Sequence, residues 1–400
     1  SRVVLRHSSI INPGNNFEHL GIPSGIHKHL AAILEITDLP VHNSKRLNPQ
    51  LPWQNSDKEL TVQDMIQLFG INYNGIQEAT MLADNGQVRQ AVIELQHSSF
   101  GAKDLSTFQT RFNMPQNPIQ KLIGTEDTEE QSGEANLDVQ TITSLTGKAQ
   151  TWDFVFGSDI SWNTIIETLM TTEGAPKVYS CSWGSTESFF TQDQVNLIEE
   201  DFKKLGLSGV TFLIAAGDSG PTMSSSCDTF NPQYPGASAY VVSVGGTKYN
   251  KFTNIQSCWM HSSGGFSTLV SRPAFQDTPV ADYLSKATLP ANPEGKVYST
   301  TGRAYPDIAA FGAYEPLLSG GQWEPVAGTS GACPQLAAMI TLINIQRYQR
   351  GLGPLGALTQ VLYQLPQGVG FDVTQGQTYA TNRDPYECFD QFMYGWRAAK

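Results

Sequence analysis

The sequence predicts an α/β protein with a mainly parallel central sheet flanked by helices. Three observations predict it. The apolar runs "VTFLIAAGD" (210–218) and "YVVSVGGT" (240–247) suit strands buried on both faces. Stretches of helical character alternate with such runs, at 133–146, 190–205 and 333–350. The chain has 400 residues, 40% hydrophobic and 16% charged, a globular composition with enough apolar material for a sizeable core.

The elements follow in order. Residues 1–43 hold His7, His19, His27, His29 and His42, five of the seven histidines. Residues 44–58, "SKRLNPQLPWQNSDK", are polar, with two prolines and adjacent basic residues, and read as an exposed linker that is open to cleavage. Residues 59–400 form the body. There "AVIELQ" (91–96) is a strand, 133–146 a helix, "KVYSCSW" (177–183) a strand and 190–205 a helix. Two more strands follow at 210–218 and 240–247, then a long apolar helix at 333–350. Ligands on parallel sheets bind beyond the carboxyl ends of the strands, where Asp218 of "AAGDSG" falls.

A net charge of -12 leaves no basic stripe for phosphates and argues against nucleic acid as a partner. No apolar window is long enough for a membrane-spanning helix. The chain opens at Ser1 and is read as processed or partial, so a missing signal peptide says nothing of location. The five cysteines lack metal-site spacing and no Asn-x-Ser/Thr sequon occurs.

The chemistry centres on "VAGTSGACPQLAAM" (326–339), where Ser330 sits in a small-residue turn before an apolar helix. Alone, such a turn is an ordinary helix start. A nucleophilic serine needs a base within hydrogen-bond reach. His97 and His261, the two histidines of the body, lie in no His-Gly-Thr turn, so a Ser-His-Asp triad is poorly supported. "SGEANLDVQ" offers carboxyls instead. Glu134 and Asp138 stand at i and i+4 on one helix face, roughly 5–6 Å apart at Cβ. Like charges there repel unless a proton is shared, and a shared proton lets the pair act as a base in acid. Asp218, in its acid form, could donate to a developing oxyanion. "GTSGA" is not the Gly-x-Ser-x-Gly elbow of α/β-hydrolases.

Glu134, Asp138, Asp218 and Ser330, in this order, resemble the sedolisins, the subtilisin-fold serine-carboxyl peptidases that work in acid. "FLIAAGDSG", "VVSVGGT", "SSGGFSTLVSRPAFQ", "GRAYPDIAA" and "TSGACPQLAAMITLIN" extend the resemblance over roughly residues 60 to 400. "GIPSGIHKHLAAILEITDLP" is similar to the end of the family's prodomain. The resemblance is strongest to the lysosomal, tripeptide-releasing branch.

It implies a subtilisin-like fold and a prodomain remnant at 1–43, followed by an activation linker at 44–58 and a peptidase domain at 59–400. Ser330 would be the nucleophile, Glu134 the general base, Asp138 its orienting partner and Asp218 part of the oxyanion hole. Ser182, Trp183 and Gly184, with Ser263, Gly264 and Gly265, would hold the substrate backbone. Partners would be peptide or protein substrates and the chain's own prodomain, with no membrane span. The location would be lysosomal, vacuolar or secreted.

The family's calcium site would use Asp372, the carbonyl of Val373, and Gly395. Here Met393 replaces a glycine, and Arg397 stands where an aspartate is expected and would repel Ca²⁺. Cys227 and Cys388 fall near positions bridged in the lysosomal branch. The alternatives are an endopeptidase of the same family, or a non-catalytic structural or interaction protein that reuses the fold. The basic, His-rich segment is expected to dock on the acidic body and to release as its histidines charge in acid.

Overall fold

A computed structural model describes residues 60–72, 88–126, 131–158, 160–221, 229–287, 289, 291–366 and 370–379, with the backbone of 394–397. The segments 1–43 and 44–58 lie outside the described residues.

Among the described residues seven parallel strands carry the fold: β1 (Arg89–Glu94), β2 (Lys121–Gly124), β3 (Gln150–Val155), β4 (Val178–Cys181), β5 (Thr211–Ala215), β6 (Val242–Asn250) and β10 (Ile308–Phe311). Their order across the sheet is β10-β6-β5-β4-β1-β3-β2. The short strand β7 (Ile255–Cys258) adds antiparallel to the far end of β6. Outside this sheet, β8 (Gly265–Ser271) pairs antiparallel with β9 (Gly302–Tyr305), and β11 (Ala313–Ser319) with β12 (Gln322–Ala327).

Helices α1 (Val62–Leu68), α2 (Ala102–Arg111), α3 (Gly133–Thr146) and α7 (Thr329–Gln349) cover one face of the sheet; α4 (Trp162–Thr171) and α5 (Gln192–Leu207) cover the other. A further helix, α6 (Asp277–Lys286), packs with a satellite cluster around Phe266 and Tyr298. Both faces are apolar because each strand buries alternate side chains in opposite directions. In β1, Ala91 and Ile93 join Phe154, Tyr179, Phe202 and Phe212 on one side, while Val92 joins Val139, Ile142, Leu213 and Ala337 on the other.

The phase of β1 therefore places Glu94, two residues after Val92, on the face covered by α3. Helix α3 is buried along nearly its whole length, so its polar residues need partners inside. Gln140 meets this need by imitating a strand. Its Nε2 donates to Leu318 O at 2.6 Å and its Oε1 accepts from Leu318 N at 3.1 Å, which pins α3 to β11.

Candidate active site

The carboxyls of α3 and the first turn of α7 meet beyond the carboxyl ends of β1, β4 and β5. Ser132 caps α3, and its Oγ accepts from Glu134 N at 3.2 Å. That fixes the start of the helix and the face on which Glu134 and Asp138 stand. Ser330 is the second residue of α7 and is 8% exposed. Asp218 holds that turn from the β5 side. Its Oδ1 accepts from Thr329 N at 2.7 Å and from Thr329 Oγ at 2.9 Å. Gly217 precedes it with φ 106°, a conformation that favours glycine, and a Cβ there would lie 2.9 Å from Ser263 Oγ. Pro334, inside α7, has no N–H to return to the carbonyl of Ser330.

The hydroxyls of Ser330 and Ser182 lie near enough to the Glu134 carboxyl to lower it. Burial first, and then the Asp218 charge, raise its carboxyl to about 7 against the lowering effect of the two hydroxyls. Asp138 is fully buried and accepts from Ser182 Oγ at 2.8 Å. Burial and then the Glu134 charge hold its carboxyl well above the usual range. The structure thus brings together Ser330, Glu134, Asp138 and Asp218, the four residues read from the sequence.

Two further carboxyls extend the group. Glu94 of β1 lies beside Asp138, which it lowers, and accepts from Trp183 Nε1 at 3.1 Å. Asp153 of β3 lies on the same face, two residues before the register partner of Glu94. Burial first, and then Asp138 and Asp153, raise Glu94. Burial and Glu126 push Asp153 up to about 8. Glu94 Oε1, Asp138 Oδ2, Glu134 Oε1 and both oxygens of Asp153 are buried without a conventional donor. Carboxyl protons shared along the chain would supply the missing donors. Sequence reasoning missed Glu94 and Asp153, although each stands at an inward phase of a buried strand ("AVIELQ", "TWDFVF") where an apolar residue is the rule.

The expected substrate-binding residues lie beside the same carboxyls. Ser182 and Trp183 spend their side chains on Asp138 and Glu94. Gly184 leads into Ser185, which pairs with Tyr234. Ser263 N donates to Gly217 O at 2.8 Å, which sets the 263–265 turn beside Asp218. His97 is occupied elsewhere, its Nδ1 2.7 Å from Thr125 O. Cys333 is buried against Ser180 Oγ at 3.3 Å, and burial pushes its thiol up to about 12.

Asp372 is exposed, and Arg397 sits in a short strand opposite Gln377. Among the described residues no three His, Cys, Asp or Glu side chains converge as a metal site. A hard cation needs six to eight oxygens, so the residues present do not fit calcium, and no step below uses it. Cys227 and Cys388 lie outside the described residues.

The subtilase family's sequence profile matches residues 123–355. The chain belongs to the subtilase family of serine-type peptidases. Within it, the chain sides with the sedolisins. It is 33% identical to tripeptidyl-peptidase 1 of Bos taurus over 307 residues, 72% of this chain and 53% of the relative. Identity to the Homo sapiens protein is 32%, with the same coverage. Identity to the Dictyostelium discoideum protein is 29%, over 69% of this chain and 46% of the relative. The chain thus spans about half the length of these relatives. Pseudomonas sedolisin, a serine-carboxyl proteinase complexed with two molecules of pseudo-iodotyrostatin, shares the fold: the TM-score is 0.58 at 18% identity, over 78% of this chain and 90% of that one. No described helix is long and apolar enough to cross a membrane.

Proposed function

We propose that the chain is an acid-acting serine-carboxyl peptidase that releases tripeptides from free N-termini. The observation that carries this reading is the gathering of Ser330, in the α7 turn held by Asp218, with the buried Glu134, whose carboxyl feels both the Ser330 hydroxyl and the Asp218 charge. Ser330 Oγ gives its proton to Glu134 and attacks the scissile carbonyl carbon. The carbonyl oxygen takes the electron pair, and Asp218 in its acid form donates to it. Glu134 then protonates the leaving amine as the C–N bond breaks, which leaves the acyl group on Ser330. Water, deprotonated by Glu134, attacks that ester and frees the peptide acid. Asp138, with Glu94 behind it, orients Glu134 and shares its proton.

Ser182–Gly184 and Ser263–Gly265, beside the carboxyls and Asp218, would take an extended substrate as an added strand. The tripeptide product follows from the tripeptidyl-peptidase relatives. Residues 1–43 and 44–58 fit a prodomain remnant with its activation linker, and an acidic lysosomal, vacuolar or secreted setting suits this chemistry. The test is hydrolysis of tripeptide-coumarin substrates with free and blocked N-termini from pH 3 to 7. We expect an acid optimum with the free terminus alone, lost in Ser330→Ala. Equal cleavage of the blocked substrate would make the enzyme an endopeptidase, and no cleavage of either would contradict the reading.

A further inference from the structure

Glu315 is a buried carboxyl that the mechanism above does not use. It is 2% exposed and belongs to β11, next to Tyr314. Tyr314 holds φ 65°, a left-handed conformation costly for an aromatic residue. The β11–β12 register slips there, between Ala313 and Glu315. Such bulges re-aim side chains, and this one turns Glu315 inward beneath the first turn of α7. The carboxyl lies against Gly331, the residue after Ser330. A Cβ at 331 would fall 2.4 Å and 2.5 Å from its two oxygens.

Its partner is Gln335, one turn further along α7. Gln335 Nε2 donates to Phe311 O at 2.8 Å and to Glu315 Oε1 at 2.9 Å. Because Phe311 O can only accept, the amide orientation is fixed. Two buried atoms then have no partner, one on each group: Glu315 Oε2 and Gln335 Oε1. Both are acceptors when Glu315 is ionised. One proton on the carboxyl resolves both, since Oε2–H can donate to Gln335 Oε1.

We propose that Glu315 is a positioning residue for Ser330, acting as a carboxylic acid paired with the Gln335 amide beneath the nucleophile's turn. The proposal rests on the reading of Ser330 as nucleophile. The bulge delivers the acid, Gly331 makes room for it, and Gln335 closes the ring. These three departures from ordinary packing serve one contact. The surrounding charges do not favour ionisation. Helix α3 brings only the acidic Glu134 and Asp138, α2 brings the buried Asp104 with the exposed Lys103 and Arg111, β12 brings Glu324, and Lys248 of β6 lies over the Tyr314 ring instead. Burial holds the carboxyl well above its usual range, opposed by the Gln335 bond alone. Loss of the proton would leave an unpaired charge under Ser330 and loosen the turn, which makes an acid requirement separate from that of the catalytic carboxyls.

The test has two arms. In a Ser330→Ala background, thermal melting is compared at pH 4 and pH 7 with and without Glu315→Gln, whose amide reproduces the protonated ring. We expect the added substitution to shrink the fall in Tm between the two pH values. Difference infrared spectra should show the loss of one protonated-carboxyl band. An unchanged fall in Tm together with an unchanged band would overturn the proposal, whether or not the chain is a peptidase. In the active protein, Glu315→Ala should lower kcat by about tenfold or more with KM nearly unchanged, and Glu315→Gln should recover most of that loss. Full kcat in Glu315→Ala would equally overturn it.

Discussion

Ser182 Oγ donates to Asp138 Oδ1 at 2.8 Å, so the inner carboxyl of α3 is tied to the carboxyl end of β4. The same hydroxyl lowers the Glu134 carboxyl. One serine thus spaces the two carboxyls that would share a proton, and a short segment after β4 sets both the base and the substrate wall. Ser182→Ala should lower kcat by about ten- to a hundredfold while KM moves little, because orientation is lost and binding is not. Steady-state kinetics at the acid optimum checks this; a change confined to KM would assign Ser182 to substrate alone.

The pH profile should respond to Asp153. Its charge raises both Glu94 and Asp138, whereas Glu94 itself lowers Asp138. Asp153→Asn removes that repulsion while keeping shape. The acid limb of kcat/KM should move down by a fraction of a pH unit. An acid limb that stays in place would remove Asp153 from the proton-sharing group.

Stability should favour acid. Glu94, Glu134, Asp138, Asp153 and Glu315 are all raised in the fold, Glu134 to about 7 and Asp153 to about 8. A carboxyl raised by folding contributes stability that is complete below its unfolded value near 4 and is lost as pH climbs through its folded value. Melting of Ser330→Ala, which cannot digest itself, should therefore fall between pH 4 and pH 8. A Tm that rises over this window would show that these carboxyls are ionised and paired in the fold.

One buried ion pair lies away from the site. Arg303 and Asp307 are both enclosed, 2.5 Å apart, and Asp307 also accepts from Ser243 N at 2.8 Å and from the Tyr363 hydroxyl at 2.8 Å. Asp307→Ala strands the guanidinium and should cost about 3–5 kcal/mol. Denaturant unfolding measures it, and a loss below about 1 kcal/mol would mean that water reaches Arg303.

Cys333 stands one turn from Ser330, yet its thiol is enclosed and pushed up to about 12. Cys333→Ala should keep kcat within about threefold, and thiol reagents should not inhibit the protein. Inhibition by such a reagent, abolished in Cys333→Ala, would contradict this.

Much of the fold was legible because buried parallel strands announce themselves as apolar runs. The strands at 210–218 and 240–247 and the helices at 133–146 and 190–205 appear within a few residues of their expected bounds. The expected helix at 333–350 begins earlier, at Thr329, because Asp218 caps a first turn whose glycines and hydroxyls carry no helical signal. Glu134, Asp138, Asp218 and Ser330 could be singled out because their spacing is motif-like. Glu94, Asp153 and Glu315 could not, because a lone carboxyl in a strand acquires meaning only from which strand lies beside it. The Tyr314 bulge that aims Glu315 leaves no sequence mark, since its left-handed residue is neither glycine nor asparagine. The segments 1–43 and 44–58 retain only their sequence reading.

The central claim is that Ser330 is a nucleophile served by a carboxyl. Its most direct test is rapid acid quench of the acid-treated full chain with a tripeptide ester at pH 4, followed by mass spectrometry of the peptide that contains Ser330. The account predicts a tripeptidyl adduct on Ser330 that forms much more slowly in Glu134→Gln. A product released with no adduct on Ser330, or an adduct that forms equally fast without Glu134, would contradict it.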